Sequence, residues 1–287
     1  MTILVTGATG TVGHQVVEQL VRRGADVRAL VRDPSKADFP AGVAVAQGDL
    51  LDVDSLRNAV SGVSTLFLLN AVVPDEFTQA LVALGVAREA GIKRIVYLSV
   101  IHSDIYVNVP HFAGKFGVER MIEQMGLTAT ILRPAYFMNN DLTIKDVVLG
   151  HGVYPMPIGS KGLAMIDARD IGEIAAIELM RREQAAEPLP LERFNLVGPD
   201  TLTGSDVATI WTQVLGRPVA YGGDDTAGFE QNLRQFMPSW MALDMRLMAE
   251  RFVTEGMLPE AGDIDRLETL LGRPLRRYRD YVAQIAG

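Results

Sequence analysis

A group of glycines near the start of the chain constrains its fold more than any other feature. An apolar run, Ile3 to Val5, is followed by Gly7, Gly10 and Gly13, and an amphipathic stretch extends from Val12 to Arg23. This order predicts a strand, a tight turn and a helix, because glycines let the backbone turn sharply and let a helix pack closely on a strand. The free N–H groups at the start of such a helix bind anions. The turn is therefore interpreted as a site for a phosphate group.

The same alternation of strand-like and helix-like segments continues through the first half of the chain. Short apolar or β-branched runs, typical of strands buried on both faces of a parallel sheet, alternate with amphipathic stretches. Repeated β-α-β units imply right-handed crossovers, so the pattern predicts an α/β fold with a doubly wound parallel sheet. The predicted strands are 3–5, 27–31, 43–45, 65–69, 95–98 and 128–132, and the predicted helices are 12–23, 53–60, 76–90 and 112–125.

The alternation loosens after residue 134. Residues 224–256 are rich in Phe, Met and Trp, a composition that suits either a packed core or an adaptable apolar binding site. We expect a nucleotide-binding domain over residues 1–150 and a smaller α/β substrate lobe over 151–287, with a segment near 160–200 returning to the first domain. The further predicted elements are a helix at 170–182, a strand at 193–197 and a helix at 205–215.

Composition excludes several classes of function. The formal net charge is −8 and no dense Lys/Arg stripe is present, so nucleic acid is not an expected partner. The chain has no cysteine and four histidines without a metal-ligand spacing, so neither a disulfide framework nor a metal site is expected. No apolar run approaches the roughly 18 residues of a membrane span. The start of the chain has no basic signal region, so we expect no membrane association and a cytoplasmic location.

The residue after the second predicted strand indicates which dinucleotide the turn would bind. NAD-preferring sites place an acidic residue there, about 20 residues beyond the glycines, to hold the ribose hydroxyls. In this chain Val31 is followed at that spacing by Arg32. A guanidinium suits the 2′-phosphate of NADP(H), and Lys36 could assist it. Asp33 directly follows Arg32, so NADP(H) is the preferred cofactor and NAD(H) the alternative.

These residues resemble the short-chain dehydrogenase/reductase superfamily, in its atypical NmrA-like family. The resemblance begins at Thr6-Gly7-x-x-Gly10-x-x-Gly13 and covers about two-thirds of the chain, whereas the last hundred or so residues match in general character alone. It continues through Leu30-Val31-Arg32-Asp33, Gly48-Asp49-Leu50, Tyr97-Leu98-Ser99, His111-Phe112 with Lys115 and Glu119, Thr130-Ile131-Leu132-Arg133-Pro134, and Asp167-x-x-Asp170-Ile171.

The resemblance implies a Rossmann fold and a set of cofactor contacts. The turn residues should line the pyrophosphate, residues after the third strand the adenine, and residues after the fourth strand the ribose. Residues after the sixth strand should lie near the nicotinamide. In that order, the implied contacts are Thr9, Gly10, Thr11 and Val12; Asp49 and Leu50; Leu69, Asn70 and Ala71; and Pro134, Tyr136 and Phe137.

Active reductases of the superfamily carry a Tyr-x-x-x-Lys pair with an upstream serine, and this chain departs from that pattern. It keeps Lys115 and Ser99, but His111 stands at the tyrosine position. Positions 111 and 115 share one face of a predicted helix. The resemblance implies that Lys115 anchors the nicotinamide ribose. We expect His111, whose neutral ring still donates one N–H, to polarise the acceptor with help from Ser99.

Two functions are compatible with this departure. In the first, the chain is an NADP(H)-dependent oxidoreductase of a small apolar carbonyl, quinone or aromatic acceptor, as the resemblance to reductases without the tyrosine implies. In the second, it is a non-catalytic regulator that senses the cofactor and binds a protein partner, as NmrA does. We favour the enzyme because the chain carries a substrate-like lobe; the oligomeric state is not predicted. The candidate substrate contacts are His111, Tyr136, Met138, Asn139, Tyr154, Phe229 and Trp240.

Overall fold

The computed structural model describes residues 1–287, which form two compact units. The functional division predicted near residue 150 stays a prediction. Unit 1 comprises Met1–Val100, Gly114–Arg133 and Ala168–Phe194, and unit 2 comprises Ile101–Ala113, Pro134–Asp167 and Asn195–Gly287.

The chain forms nine strands. They are β1 (Thr2–Val5), β2 (Asp26–Val31), β3 (Ala44–Gln47), β4 (Val63–Leu68), β5 (Arg94–Leu98), β6 (Ala129–Pro134), β7 (Val153–Tyr154), β8 (Glu192–Leu196) and β9 (Ala220–Tyr221). Seven of them build one sheet in the order β3-β2-β1-β4-β5-β6-β8, and β7 pairs with β9 in a second, two-stranded sheet.

The strand order of the large sheet confirms the predicted fold class. From β3 to β6 each neighbouring pair is parallel, and Val5 in β1 pairs with Ala29 on one side and Phe67 on the other. The order reverses between β1 and β4, which makes their carboxyl ends the topological switch point of a doubly wound sheet. Open α/β sheets bind ligands beyond the strand ends at this point.

Eleven α-helices connect and cover the strands, and none of them is both long and apolar enough to cross a membrane. They are α1 (Thr11–Arg22), α2 (Val53–Val60), α3 (Glu76–Glu89), α4 (Pro110–Gln124), α5 (Lys145–His151), α6 (Ala168–Gln184), α7 (Gly204–Leu215), α8 (Thr226–Leu233), α9 (Ser239–Thr254), α10 (Asp263–Leu271) and α11 (Tyr278–Ala286).

The core of unit 1 is formed by the apolar strands and the helices that cover them. Leu4, Leu84 and Ile95 are almost fully buried in it, and burial of each such side chain contributes about 1.5–3 kcal/mol. Helices α1 and α6 approach each other closely at Gly172 of α6. A Cβ atom added at this glycine would lie 2.5 Å from the Cβ atom of Gln15 in α1. The closeness of this contact fixes α1, and with it the turn that precedes it.

The Phe-, Met- and Trp-rich stretch 224–256 in unit 2 forms α8 and α9 rather than a uniform core. No residue of α8 is fully buried, whereas α9 buries Met248 and Phe252. Phe236, between the two helices, is 74% exposed. The composition of this stretch therefore reflects one core helix and one surface helix, and α9 also buries an acidic residue, Asp244.

Candidate functional site

The turn between β1 and α1 requires glycine at two of its three glycine positions for geometric reasons. Gly7 has a φ of +61°, in the left-handed region, and a Cβ there would lie 2.9 Å from the Leu69 side chain. A Cβ at Gly13 would lie 2.1 Å from the carbonyl oxygen of Gly7. Gly10 is the N-cap of α1 and supplies no side chain to cap it. The N–H groups of the first helical turn are therefore suited to hold an anion.

A cleft of about 280 Å³ adjoins this turn in unit 1 and is lined by Thr9, Val31, Arg32, Asp33 and Lys36. The Asp33 carboxylate accepts hydrogen bonds from the Ser35 hydroxyl at 2.7 Å and the Ser35 amide at 3.1 Å, which lower the pKa of Asp33. Because Ser35 occupies this carboxylate in a local turn, Arg32 and Lys36 are the groups that would meet a phosphate in the cleft.

Asn70, two residues beyond the end of β4, is the second feature that suits a ligand. It is 4% exposed, and neither its amide nitrogen nor its amide oxygen has a hydrogen-bond partner in the protein. Leaving a buried polar group unpaired costs about 1–3 kcal/mol, so a bound group that pairs with it would recover that energy. Its neighbour Leu69 packs against Gly7, which places this segment beside the phosphate turn. The residues present therefore fit a dinucleotide.

The other implied cofactor residues occupy the ends of their strands as expected. Asp49 and Leu50 are half-buried after β3, where the Asp49 carboxylate accepts a hydrogen bond from the Leu51 amide. Ala71 is exposed after Asn70. In unit 2, Pro134 and Tyr136 are buried and Phe137 is half-buried. Their contacts with a cofactor stay predictions.

Lys115 forms a buried ion pair that the sequence does not predict. Its Nζ atom lies 2.5 Å from Oε1 of Glu76, the first residue of α3, and both side chains are less than a tenth exposed. An ammonium group has three N–H donors, and Glu76 accepts one of them. The carboxylate therefore fixes the position of the ammonium group.

Ser99 donates its hydroxyl hydrogen to Glu119 at 2.5 Å, at the carboxyl end of β5. Glu119 is in turn held by the Arg133 guanidinium at 2.6 Å in a bidentate pair. All of these groups belong to unit 1, and Glu119 is 1% exposed. Ser99 is therefore part of a structural network between β5, α4 and β6, and its assistance in catalysis stays a prediction.

His111 lies in the segment of α4 that belongs to unit 2, and its partner there is Asp244 of α9. Nδ1 of the ring lies 2.7 Å from Oδ1 of the carboxylate, and Asp244 is 1% exposed. A carboxylate can only accept, so Nδ1 carries the hydrogen. A neutral ring that donates through Nδ1 has no N–H left at Nε2, and the polarisation of an acceptor by His111 stays a prediction.

The candidate substrate contacts in unit 2 differ in how accessible they are. Asn139, Phe229 and Trp240 are half-buried, whereas Met138 is 1% exposed. Tyr136 and Tyr154 are buried, and both hydroxyls are directed to the carboxylate of Asp141. These two phenols are thus engaged inside the unit, and their contact with a substrate stays a prediction.

Asp141 is the centre of a fully buried polar network. Tyr154 donates to it at 3.2 Å, and Tyr278 donates to its other oxygen while accepting from the Trp211 indole N–H at 2.9 Å. Burial raises the pKa of Asp141 from 3.8 to about 7, and the tyrosine hydrogen bonds oppose this rise. Burial likewise raises the pKa of Tyr154 well above its ordinary value.

This raised pKa predicts a specific dependence of stability on pH. Between pH 4 and 7 the folded state binds the Asp141 proton more tightly than the unfolded state, so this contribution to stability decreases as the pH rises through that window. The free energy of unfolding of the wild type, measured relative to Asp141→Asn by urea titration, should fall by a few kcal/mol from pH 4.5 to 7.5. Asp206→Asn is the control, since hydrogen bonds from Thr203 lower the pKa of Asp206. A difference for Asp141→Asn that does not change with pH would contradict the prediction.

The order of strands in the large sheet, the glycine turn and the cleft beside that turn together define a Rossmann-type protein of the dinucleotide-binding class. The model of the NmrA-like family matches residues 1–281. The chain therefore belongs to the NmrA-like family.

Comparison with known proteins gives similarity along the whole chain. An NAD(P)H azoreductase from Xenophilus azovorans is 30% identical over 284 residues, which cover 97% of this chain and 96% of the relative. The structure of the NADPH-dependent quinone oxidoreductase QOR2 from Escherichia coli, complexed with NADPH, has a TM-score of 0.88 at 27% identity and covers 100% of both chains. Triphenylmethane reductase from Citrobacter sp., complexed with NADP(H), shares the fold at 23% identity, with a TM-score of 0.85 and coverage of 99% and 100%.

Proposed function

We propose that this chain is an NADP(H)-dependent oxidoreductase that reduces a quinone, an azo compound or a related small aromatic acceptor. The observation that carries the proposal is the cleft of Arg32 and Lys36 beside the glycine turn, since it suits a dinucleotide with a 2′-phosphate. The relatives named as azoreductase and quinone oxidoreductase support the class of acceptor. Because NADPH is an intracellular reductant, we place the reaction in the cytoplasm.

The residues of the chain would divide the binding of the cofactor among them. Gly7 to Gly13 would hold the pyrophosphate on the start of α1, Arg32 and Lys36 the 2′-phosphate, and Asn70 a ribose. Lys115, with one N–H on Glu76, keeps two donors for the hydroxyls of the nicotinamide ribose. The bound cofactor would supply a hydride. His111 would supply the proton to the acceptor, and the half-buried Trp240 and Phe229 would contact it.

The cofactor preference can be tested at Arg32. Arg32→Ala should weaken NADPH binding by about ten- to a hundredfold, because hydrogen bonds to charged groups contribute about 1.5–3 kcal/mol, and it should leave NADH binding nearly unchanged. Titration by quenching of protein fluorescence measures both constants. Arg22→Ala is the matched control, since Arg22 is an exposed arginine at the far end of α1. An equal loss for both cofactors would remove Arg32 from the phosphate site.

The function itself is tested by NADPH and NADH titrations followed by a panel of quinones, azo dyes and aldehydes, with nicotinamide absorbance as the readout. We expect tighter binding of NADPH and oxidation that depends on the acceptor. Tight binding without oxidation by any acceptor would contradict the reductase and favour the cofactor-sensing regulator. The search would then turn to a protein partner.

A further inference from the structure

His111 and Asp244 form a buried pair that no sequence motif marks. We propose that Asp244 is a positioning residue: it holds a hydrogen on Nδ1 of His111, so that Nε2 is the nitrogen that delivers the proton to the reduced acceptor. This rests on the proposed reductase function and deepens it. The pair belongs entirely to unit 2, with Oδ1 of Asp244 2.7 Å from Nδ1 of His111.

The direction of the hydrogen bond determines which nitrogen can act. An ionised carboxylate accepts hydrogen bonds and donates none, so the Nδ1 hydrogen stays directed to Asp244 in both charge states of the ring. When the ring is positively charged, Nε2 carries the second hydrogen and can donate it. After transfer, the neutral ring retains the Nδ1 hydrogen and takes up a new proton from solvent at Nε2.

The surroundings of Asp244 indicate why a carboxylate is present in this helix. It stands between Leu243 and Met245 in the apolar part of α9, and its Oδ2 atom is buried without a hydrogen-bond partner. A buried carboxylate that is half-satisfied costs stability, and an apolar side chain of similar volume would fill the position at lower cost. The ring that it faces accounts for the carboxylate, because the carboxylate accepts the Nδ1 hydrogen at 2.7 Å and a buried polar group requires a hydrogen-bond partner.

The proton is needed for some acceptors and not for others. A quinone takes a hydride, its electron pairs shift toward an oxygen, and that oxygen takes the proton from Nε2, which gives a hydroquinone. An azo bond takes the hydride on one nitrogen and the proton on the other, which gives a hydrazine. A cationic triphenylmethane dye takes the hydride on its central carbon and becomes neutral without any proton. Asp244 should therefore matter for the first two acceptors alone.

Turnover with two probes separates this role from a structural one. Asp244→Leu should lower kcat for 2-methyl-1,4-naphthoquinone by about a hundredfold, the contribution of a positioned general acid, with KM for NADPH unchanged. Reduction of malachite green should stay within about twofold of the wild type. Equal losses with both probes would overturn the proposal. Glu250→Gln, on the same helix but paired with Arg246 near the surface, is the control and should change neither rate.

The tautomer of His111 can be observed without any turnover. In the full-length protein labelled with ¹⁵N-histidine, His111→Gln identifies the ring signals by their loss, and two-bond ¹⁵N–¹H correlations show which nitrogen is protonated. We expect hydrogen on Nδ1 in the wild type, and a shift to Nε2 in the neutral ring of Asp244→Leu. A wild-type ring with hydrogen on Nε2 alone would overturn the proposal. A protein with the expected tautomer that reduces no acceptor would instead refute the reductase.

Discussion

Lys115→Ala should lower the turnover of any accepted quinone by more than tenfold. The ammonium group would anchor the nicotinamide ribose, and the Glu76 carboxylate 2.5 Å away holds it in position. The same substitution leaves Glu76 buried without its partner, which costs about 3–5 kcal/mol of stability. Turnover must therefore be measured together with the free energy of unfolding, by urea titration of the same variant.

A neutral double variant separates the two effects. Lys115→Met combined with Glu76→Gln removes both charges, so most of the lost stability should return while turnover stays low. Lys93→Ala, at an exposed lysine in the same unit, is the control for the loss of a positive charge. Recovery of turnover in the double variant would remove Lys115 from the mechanism and leave it with a structural role.

Gly13→Ala should weaken NADPH binding by about a hundredfold. The added methyl group would lie 2.1 Å from the carbonyl oxygen of Gly7 and 2.6 Å from its carbonyl carbon. These are backbone atoms that cannot rotate away as a side chain would, so the phosphate turn must deform by a substantial fraction of an ångström. Fluorescence titration with NADPH measures the loss, and thermal unfolding shows whether the fold is retained.

The matched control for this substitution is another helical glycine of unit 1. Gly85 lies in α3, and an added Cβ would meet no atom within 4 Å. Gly85→Ala should therefore stabilise the protein by up to about 1 kcal/mol through helix propensity and leave the affinity for NADPH unchanged. If Gly13→Ala binds NADPH as tightly as the wild type does, the phosphate turn can accommodate the methyl group, and the geometric argument is contradicted.

Local spacing was sufficient to predict that the glycine turn and Arg32 lie close together, whereas their contacts with a cofactor stay predictions. The glycines and Arg32 follow directly after β1 and β2, and parallel pairing brings those strand ends side by side. Each element of the first half falls within a few residues of its prediction. The central strands are predicted well because buried parallel strands are continuous apolar runs. After residue 134 some elements are short or exposed, as β7 and α8 are, and their apolar pattern is correspondingly weak, whereas α6, β8 and α7 lie close to their predicted positions.

The two carboxylates that hold the candidate catalytic side chains could not be predicted in the same way. Glu76 is 39 residues from Lys115, and Asp244 is 133 residues from His111, so tertiary packing alone pairs them. Glu76 follows Asp75 at a helix start, where acidic residues are common for reasons of capping. The sequence does mark Asp244 as unusual, because it is an isolated acidic residue between Leu243 and Met245. An ionisable residue in an apolar helical run is a reason to look for a buried partner.

The turn formed by Asp33 and Ser35 bears on how cofactor preference is read from sequence. Rules for this strand end consider which residue type is present and treat an acid as a sign of NAD(H). Here the acid is present, but two hydrogen bonds from Ser35 hold its carboxylate in the start of the short helix Pro34–Lys36. The cofactor selectivity of such a strand end therefore depends on the rotamer of the acidic side chain and on the local hydrogen bonds that its carboxylate accepts. A serine two positions downstream can occupy, by its hydrogen bonds, the carboxylate of an aspartate that a rule based on residue type would take as evidence for NAD(H).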